Sequence, residues 1–251
     1  VNIASKFPCK LIATVGSAGR IAIMVRQDSH VKSLADLKGR TVTTVFGTSA
    51  HYPAVQWVLD AELTPDKDVK VRHMAAAEGR AALAKGDIDA LTIWDPYVED
   101  MVRKKAARVL IYKPSFLTAT IASDEFLKRE PEAAVNFLVA LNEAVLFMAK
   151  NKELVNGWLA KTNGVSPALI DKGSRYNYNY SNAKKLKDVR IIPDEELFVL
   201  LENISEFNVK NALQAQKTPV REKTDLLFVK TARARVLALK FDPASVSVKE
   251  K

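Results

Sequence analysis

Cysteine is almost absent from the 251-residue sequence, where Cys9 stands alone. A single thiol excludes an internal disulfide framework and every zinc site built on paired cysteines. Histidine is scarce as well, and His30, His51 and His73 share no metal-ligand spacing. No apolar run approaches the roughly 18 residues that a membrane-crossing helix needs. The G-x-S-x-G elbow, the dinucleotide fingerprint and the Walker loop are all missing, and no nucleophile, base and orienting group can be picked out together. The expectation is a protein without catalytic residues, cofactor or metal.

What is present describes a globular chain. Apolar residues make up 48% and charged residues 27%, ordinary values for a folded protein of one or two domains. The net charge of +9 arises from two segments, 171–190 at +4 and 217–240 at +5, so the positive character is C-terminal. Such an excess suits nucleic acid, an anionic surface or an anionic ligand. With no helix-turn-helix, zinc-finger or RNA-binding signature, it reads as a solvated basic face and no nucleic-acid partner is expected. The sequence opens at Val1 without a basic and apolar leader, as in a cytoplasmic protein or the mature or trimmed form of an exported one.

The first half alternates β-branched runs with helical patterns, the layout of a parallel sheet flanked by helices. Strands are predicted at Cys9–Val15, Arg20–Val25, Arg40–Phe46, Val69–His73, Ala90–Trp94 and Val109–Tyr112. Between them fall a one-turn helix Ser33–Leu37 capped by Ser33, and helices Ser49–Leu59, Glu78–Lys85 and Tyr97–Lys105. Gly86 stands where a helix end wants a left-handed residue. From Ser123 the spacing turns helical, with Pro131 in a first turn and Val135, Leu138, Val139, Asn142, Val145, Leu146 and Ala149 on one stripe. Further helices are expected at Lys152–Leu159, after Ser166-Pro167, at Pro193–Phe207 and at Thr224–Leu239. Tyr176–Tyr180 reads as an ordered loop, and Val1–Ala4 as a late strand of a lobe lacking its first strand and helix.

Three segments could carry chemistry. Arg40–Tyr52 runs from strand through Gly47, Thr48 and Ser49 into a helix, placing free backbone N–H groups, a helix dipole and two hydroxyls at one spot. That spot suits an oxyanion; plain helix capping explains the same residues. His51, at the helix start, is a donor to an anion or a locally bonded side chain. The second segment, Ala90–Tyr97, delivers Trp94, Asp95 and Tyr97 at a strand's carboxyl end, where open α/β sheets bind ligands. Trp94 and Tyr97 read as an aromatic wall or as core, and Asp95 as a ligand contact or, more simply, a helix cap. The third holds Glu78 and Arg80 near another helix start, facing a cleft or complementing the dipole. Cys9 reads as a small buried hydrophobe.

Together these residues resemble a known family. Ile21–Arg26 followed by Asp28–Arg40, with its Ser33-Leu34-Ala35-Asp36-Leu37-Lys38-Gly39, is similar to a passage of the type II periplasmic solute-binding proteins. Gly47–Tyr52, Ala77-Glu78-Gly79, Gly86–Ala90 with Trp94–Tyr97, and Phe126 with Pro131-Glu132 narrow the likeness. They match the subgroup that binds aliphatic sulfonates, taurine, nitrate and thiamine-pyrimidine precursors for ABC importers.

The resemblance implies an α/β fold of two lobes with mixed, mostly parallel sheets and a helical C-terminal portion. Lobe 1 would comprise 1–28 and 114–251 and lobe 2 29–113, with crossings near Arg26–Ser29 and Lys113–Phe116 and the ligand between the lobes. It places Gly47, Thr48, Ser49 and His51 at the ligand, Trp94 and Tyr97 at its wall and Ser5 on the other lobe; Glu78 and Asp95 complete the candidate set from the reading of their own segments. It further implies an extracytoplasmic monomer, with or without a lipid anchor, handing a small anionic or zwitterionic ligand to an ABC permease. A synthase on the same scaffold is the competing class, but the cysteine-rich metal motif of the yeast-type pyrimidine synthases is not matched here. A sensing domain of a larger regulator is the third.

Overall fold

The computed structural model describes residues 7–17, 20–114 and 117–246. The chain divides into two compact units. One comprises 1–17, 117–155 and 177–251, the other 18–116 and 156–176. The expected lobe limits at 28/29 and 113/114 therefore differ from the observed division. The reason is β2, Arg20–Arg26, which pairs inside the sheet of the second unit rather than leading into it.

That sheet has five strands. β3 is Thr41–Thr44, β4 Lys70–His73, β5 Ala90–Trp94 and β6 Ala107–Pro114, in the order β4-β3-β5-β2-β6. β3 runs parallel to β4 and β5, whereas β2 is antiparallel to β5 and β6. The sheet is mixed, as expected, but parallel pairing stops at β5, so the "mostly parallel" expectation holds only for that portion. Helices α1 (His51–Asp60), α2 (Ala76–Lys85) and α3 (Tyr97–Arg103) connect the strands. One core cluster joins Leu83 of α2 and Val98 and Met101 of α3 to Ala22, Met24, Leu91 and Ile93 of the sheet. Burying each of these larger side chains contributes about 1.5–3 kcal/mol. Gly86 ends α2 at φ +87°, its N–H reaching Ala82 and Leu83 carbonyls, as a left-handed helix end requires.

Ser33 does not cap the short turn Ala35–Leu37. Instead the Asp36 carboxylate accepts from the Lys32 and Ser33 amides and the Ser33 hydroxyl, which hold its pKa below the ordinary value.

The first unit pairs β1 (Cys9–Ser17) antiparallel with β7 (Leu117–Ser123), a strand the sequence reading passed over. Its helices are α4 (Asp124–Arg129), α5 (Pro131–Lys150), α8 (Tyr178–Asn182), α9 (Glu195–Lys210) and α10 (Leu227–Ala238). α6 (Lys152–Asn163) carries the chain into the second unit, which also holds α7 (Pro167–Ser174). The expected stripe of α5 is buried at Val135, Leu138, Asn142, Val145, Leu146 and Ala149, with Ala134 added. It packs with Val229, Ala232 and Val236 of α10. Among the described residues, α5 is the one helix long and apolar enough to cross a membrane; here its buried face is core. Of the expected loop at Tyr176–Tyr180, Tyr178–Tyr180 is instead the start of α8. Asn177 caps it, accepting from the Tyr180 amide at 3.2 Å.

Candidate functional site

Parallel pairing brings the carboxyl ends of β3, β4 and β5 to one edge, with Thr44 level with His73 on one side and Thr92 on the other. The three segments singled out in the sequence follow directly from those ends. The Met74 amide donates to the Thr44 carbonyl at 3.0 Å and extends the ladder one step further.

The chain beyond β3 turns through Gly47 at φ +77°, a left-handed conformation that suits glycine. Thr48 is consumed by the turn itself. Its hydroxyl donates to the Val45 carbonyl at 2.6 Å and accepts from the Ala50 amide at 3.3 Å. α1 accordingly starts at His51, two residues later than expected, and its cap residue is Ala50 rather than Ser49. Among the described residues, the amides of Gly47 and Ser49 and the Ser49 hydroxyl make no hydrogen bond, and both residues are exposed. These donors stand just before the positive end of α1.

Two imidazoles bracket the same turn. The Phe46 amide donates to His73 Nδ1 at 3.1 Å, so the neutral His73 ring carries its proton on Nε2. The Phe46 ring stacks on His51 at 4.3 Å and 18° and tilts against His73 at 5.6 Å. Burial of His51, and then the proximity of His73, lowers its pKa below 6.5.

Beyond β4, Glu78 is exposed in the first turn of α2. Gly79 allows that helix close to the sheet, since a Cβ there would lie 2.9 Å from Leu91 Cδ1. Arg80 turns away to Tyr97, lying 4.2 Å over its ring, and sits 3.7 Å from buried Asp100.

Beyond β5 the expectations need correction. Asp95 does not lie open to a ligand, and the backbone amide of Glu99 in the first turn of α3 bonds its carboxylate, as the simpler capping expectation had it. Its side chain is 3% exposed and accepts two bonds from Arg20, both at 3.1 Å. Arg20 opens β2, whose antiparallel register sets Ile21 opposite Trp94, so it reaches the end of β5 from the adjacent strand. Its guanidinium also donates to Glu99 at 2.5 Å and lies 5.9 Å from the Tyr112 ring centre and 5.4 Å from that of Tyr176. Burial raises the Asp95 pKa against the pull of Arg20. Burial works against the Arg20 charge too, but Asp95 and Glu99 outweigh it and hold its pKa up. Tyr97 is also engaged: Arg80 covers its ring and its hydroxyl donates to Asn163 at 3.3 Å. Trp94 is half-buried against the α2–α3 cluster, edge-on to Tyr97. Ser5 lies outside the described residues, as does Val1–Ala4.

One edge thus gathers Gly47, Thr48, Ser49 and His51, followed by Glu78 and by Trp94, Asp95 and Tyr97, with the last two committed internally. Sequence reasoning missed Phe46 and Arg20. Phe46 stood in the sequence as the last residue of the strand predicted at 40–46, but β3 ends at Thr44 and leaves it beyond the sheet; nothing in local spacing pointed to Arg20. Among the described residues no group of three or more His, Cys, Asp or Glu side chains could hold a metal.

The model of the family described as NMT1/THI5 like matches residues 1–153. The chain belongs to that family. A relative from Escherichia coli, named for binding aliphatic sulfonates, is 25% identical over 205 residues, covering 80% of this chain and 61% of its own length. The chain thus spans about three fifths of the length of two curated relatives so named. Among solved structures, the alkanesulfonate-binding protein SsuA from Xanthomonas axonopodis, bound to MOPS, superposes with a TM-score of 0.74 at 19% identity, covering 89% of this chain and 75% of that one. The desulfurization enzyme DSZB gives 0.64 at 18% identity, covering 91% and 80%. At such identities the likeness shows the fold alone. That fold is shared by periplasmic binding proteins and an enzyme within the NMT1/THI5-like chain's structural neighbourhood.

Proposed function

We propose that this NMT1/THI5-like chain is the solute-binding component of an ABC importer, working outside the cytoplasm without catalysis. Its ligand is a small oxyanion of the sulfonate, taurine or nitrate kind. The observation that carries the reading is the turn after β3, where Thr48 satisfies the turn internally while the Gly47 and Ser49 amides and the Ser49 hydroxyl are exposed and unbonded among the described residues. Donors fixed by the fold bind an anion without being reorganised, and each hydrogen bond to a charged group contributes about 1.5–3 kcal/mol. His51 adds positive charge at this turn when protonated. Glu78, at the neighbouring helix start, is an acid available to the ammonium of a zwitterion. The sulfonate-binding relative supports both the ligand class and the non-enzymatic role. The chain's partial span of that relative leaves the permease partner and the extracytoplasmic location part of the proposal.

Titration calorimetry with ethanesulfonate, taurine and nitrate tests it. Wild-type protein is expected to bind at least one of them, and Ser49→Ala to weaken that binding by about tenfold, the equivalent of one charged hydrogen bond. No binding by any of the three, or an unchanged affinity in the variant, would refute the assignment.

A further inference from the structure

The oxyanion donors account for the charged end of a ligand and leave its organic part unaddressed. Beside them stands Phe46, 42% exposed although it follows the buried run Val42–Thr44. An exposed phenylalanine on a loop is ordinarily free to change rotamer. This one is held by its own amide bonded to His73, by the His51 ring stacked on its face, and by the tilted His73 ring. A ring stacked on one neighbour and flanked by another while still exposed has given up part of the freedom that stacking on a partner would cost, which pre-organises it for a flat group. It is also adjacent in the chain to Gly47, whose amide is one of the free donors. Of the other aromatic candidates of this edge, Tyr97 lies beneath Arg80 and Trp94 is half-buried against the α2–α3 cluster.

Building on the oxyanion reading, we propose that Phe46 is a specificity-determining platform on which the ligand's organic part stacks. The preferred solute is then an oxyanion carried on a planar aromatic group, such as an arenesulfonate. An inorganic anion has nothing to place on the ring. A saturated chain or ring gains contact area without the face-to-face attraction.

The test compares benzenesulfonate with cyclohexanesulfonate, which share charge and carbon number and differ in planarity. Both are titrated into wild-type protein, Phe46→Ala and Phe46→Leu, each checked for folding by thermal melting. Leucine keeps apolar bulk without a π face, so it separates stacking from lost contact. Wild-type protein should bind benzenesulfonate about 3- to 10-fold more tightly, the range expected of an aromatic pair beyond its area. Both variants should bring that ratio close to one. Equal affinities in wild-type protein, or a ratio preserved in both variants, overturn the platform and leave the oxyanion site standing. Failure of wild-type protein to bind either sulfonate or nitrate removes the oxyanion site itself, and the platform with it.

Discussion

Arg20 ties together four elements of the second unit. Its guanidinium joins the start of β2 to Asp95 beyond β5 and Glu99 on α3, while Lys172 of α7 reaches Glu99 at 3.5 Å. α7 also comes so close that a Cβ on Gly173 would lie 2.9 Å from the Asp95 Cβ. Removing one member of a buried ion pair leaves its partner uncompensated, which typically costs about 3–5 kcal/mol. With side chains only 11% and 3% exposed, solvent screens this pair little. Arg20→Met is therefore expected to lower the unfolding free energy by about 3–5 kcal/mol in urea titration, and adding Asp95→Asn to recover part of the loss by removing the stranded charge. A loss below about 1 kcal/mol, or no recovery in the double variant, contradicts the account. The same pair marks the limit of local reading. Asp95 is recognisable as an acid at a strand end, but its partner lies 75 positions upstream and is set by antiparallel register. Gly47 and Ser49 were legible because glycine and hydroxyl residues between strand and helix constrain the backbone locally. The internal use of Thr48 was not, because it depends on the turn's actual dihedral angles.

At the level of elements, what could be read was what periodicity alone determines. Ala90–Trp94 is buried through its first four residues and is bounded as expected, and the stripe of α5 follows its helical spacing. β7 escaped because its alternating small residues, Leu117–Ser123, carry little hydrophobic contrast; pairing with β1 makes it a strand. α8 escaped because alternating tyrosines mimic a strand, whereas the Asn177 cap and the burial of Asn179 and Tyr180 favour a helical turn. Polar Asn142 belongs to the α5 stripe and is fully buried. Its Nδ2 donates to the Leu138 carbonyl at 2.8 Å while its Oδ1 has no partner among the described residues. A buried acceptor left unpaired costs about 1–3 kcal/mol. Leucine, branched alike with the same number of side-chain heavy atoms though bulkier, removes that cost and adds apolar burial. Asn142→Leu is expected to raise the urea midpoint with an unchanged m-value, corresponding to about 1 kcal/mol. A lower midpoint would mean that the oxygen is engaged or the site too tight.

Across the whole chain, the charge excess looks C-terminal along the sequence but is shared in the fold. Segment 171–176 belongs to the second unit and helps give it a net +5, while the first unit carries +4. Some basic residues are locally answered, as where Arg221 binds Glu195 and Glu202 and Arg235 binds Glu132. Others are not. Asp188 spends its carboxylate on the backbone amides of Lys184 and Lys185, and among the described residues Lys184, Lys185 and Lys187 form no ion pair. Two opposing salt effects follow. Screening weakens each exposed pair, worth about 0–1 kcal/mol, and relieves the longer-ranged repulsion among unanswered cations. Because the excess is distributed over both units while the pairs are short-ranged, relief should dominate. Raising sodium chloride from about 0.01 M to about 0.15 M, which shortens the screening length from about 30 to about 8 Å, is expected to raise the urea midpoint. Changing Lys184, Lys185 and Lys187 together to glutamate lowers the net charge by six and leaves the Gly47–Ser49 turn intact. This variant should have the higher midpoint at low salt and a smaller response to added salt. A wild-type midpoint that falls as salt is added would show that ion pairs such as Arg221 with Glu195 and Glu202 outweigh the repulsion. A salt response equal in wild-type and variant protein would place the effect at bound anions instead of at these lysines.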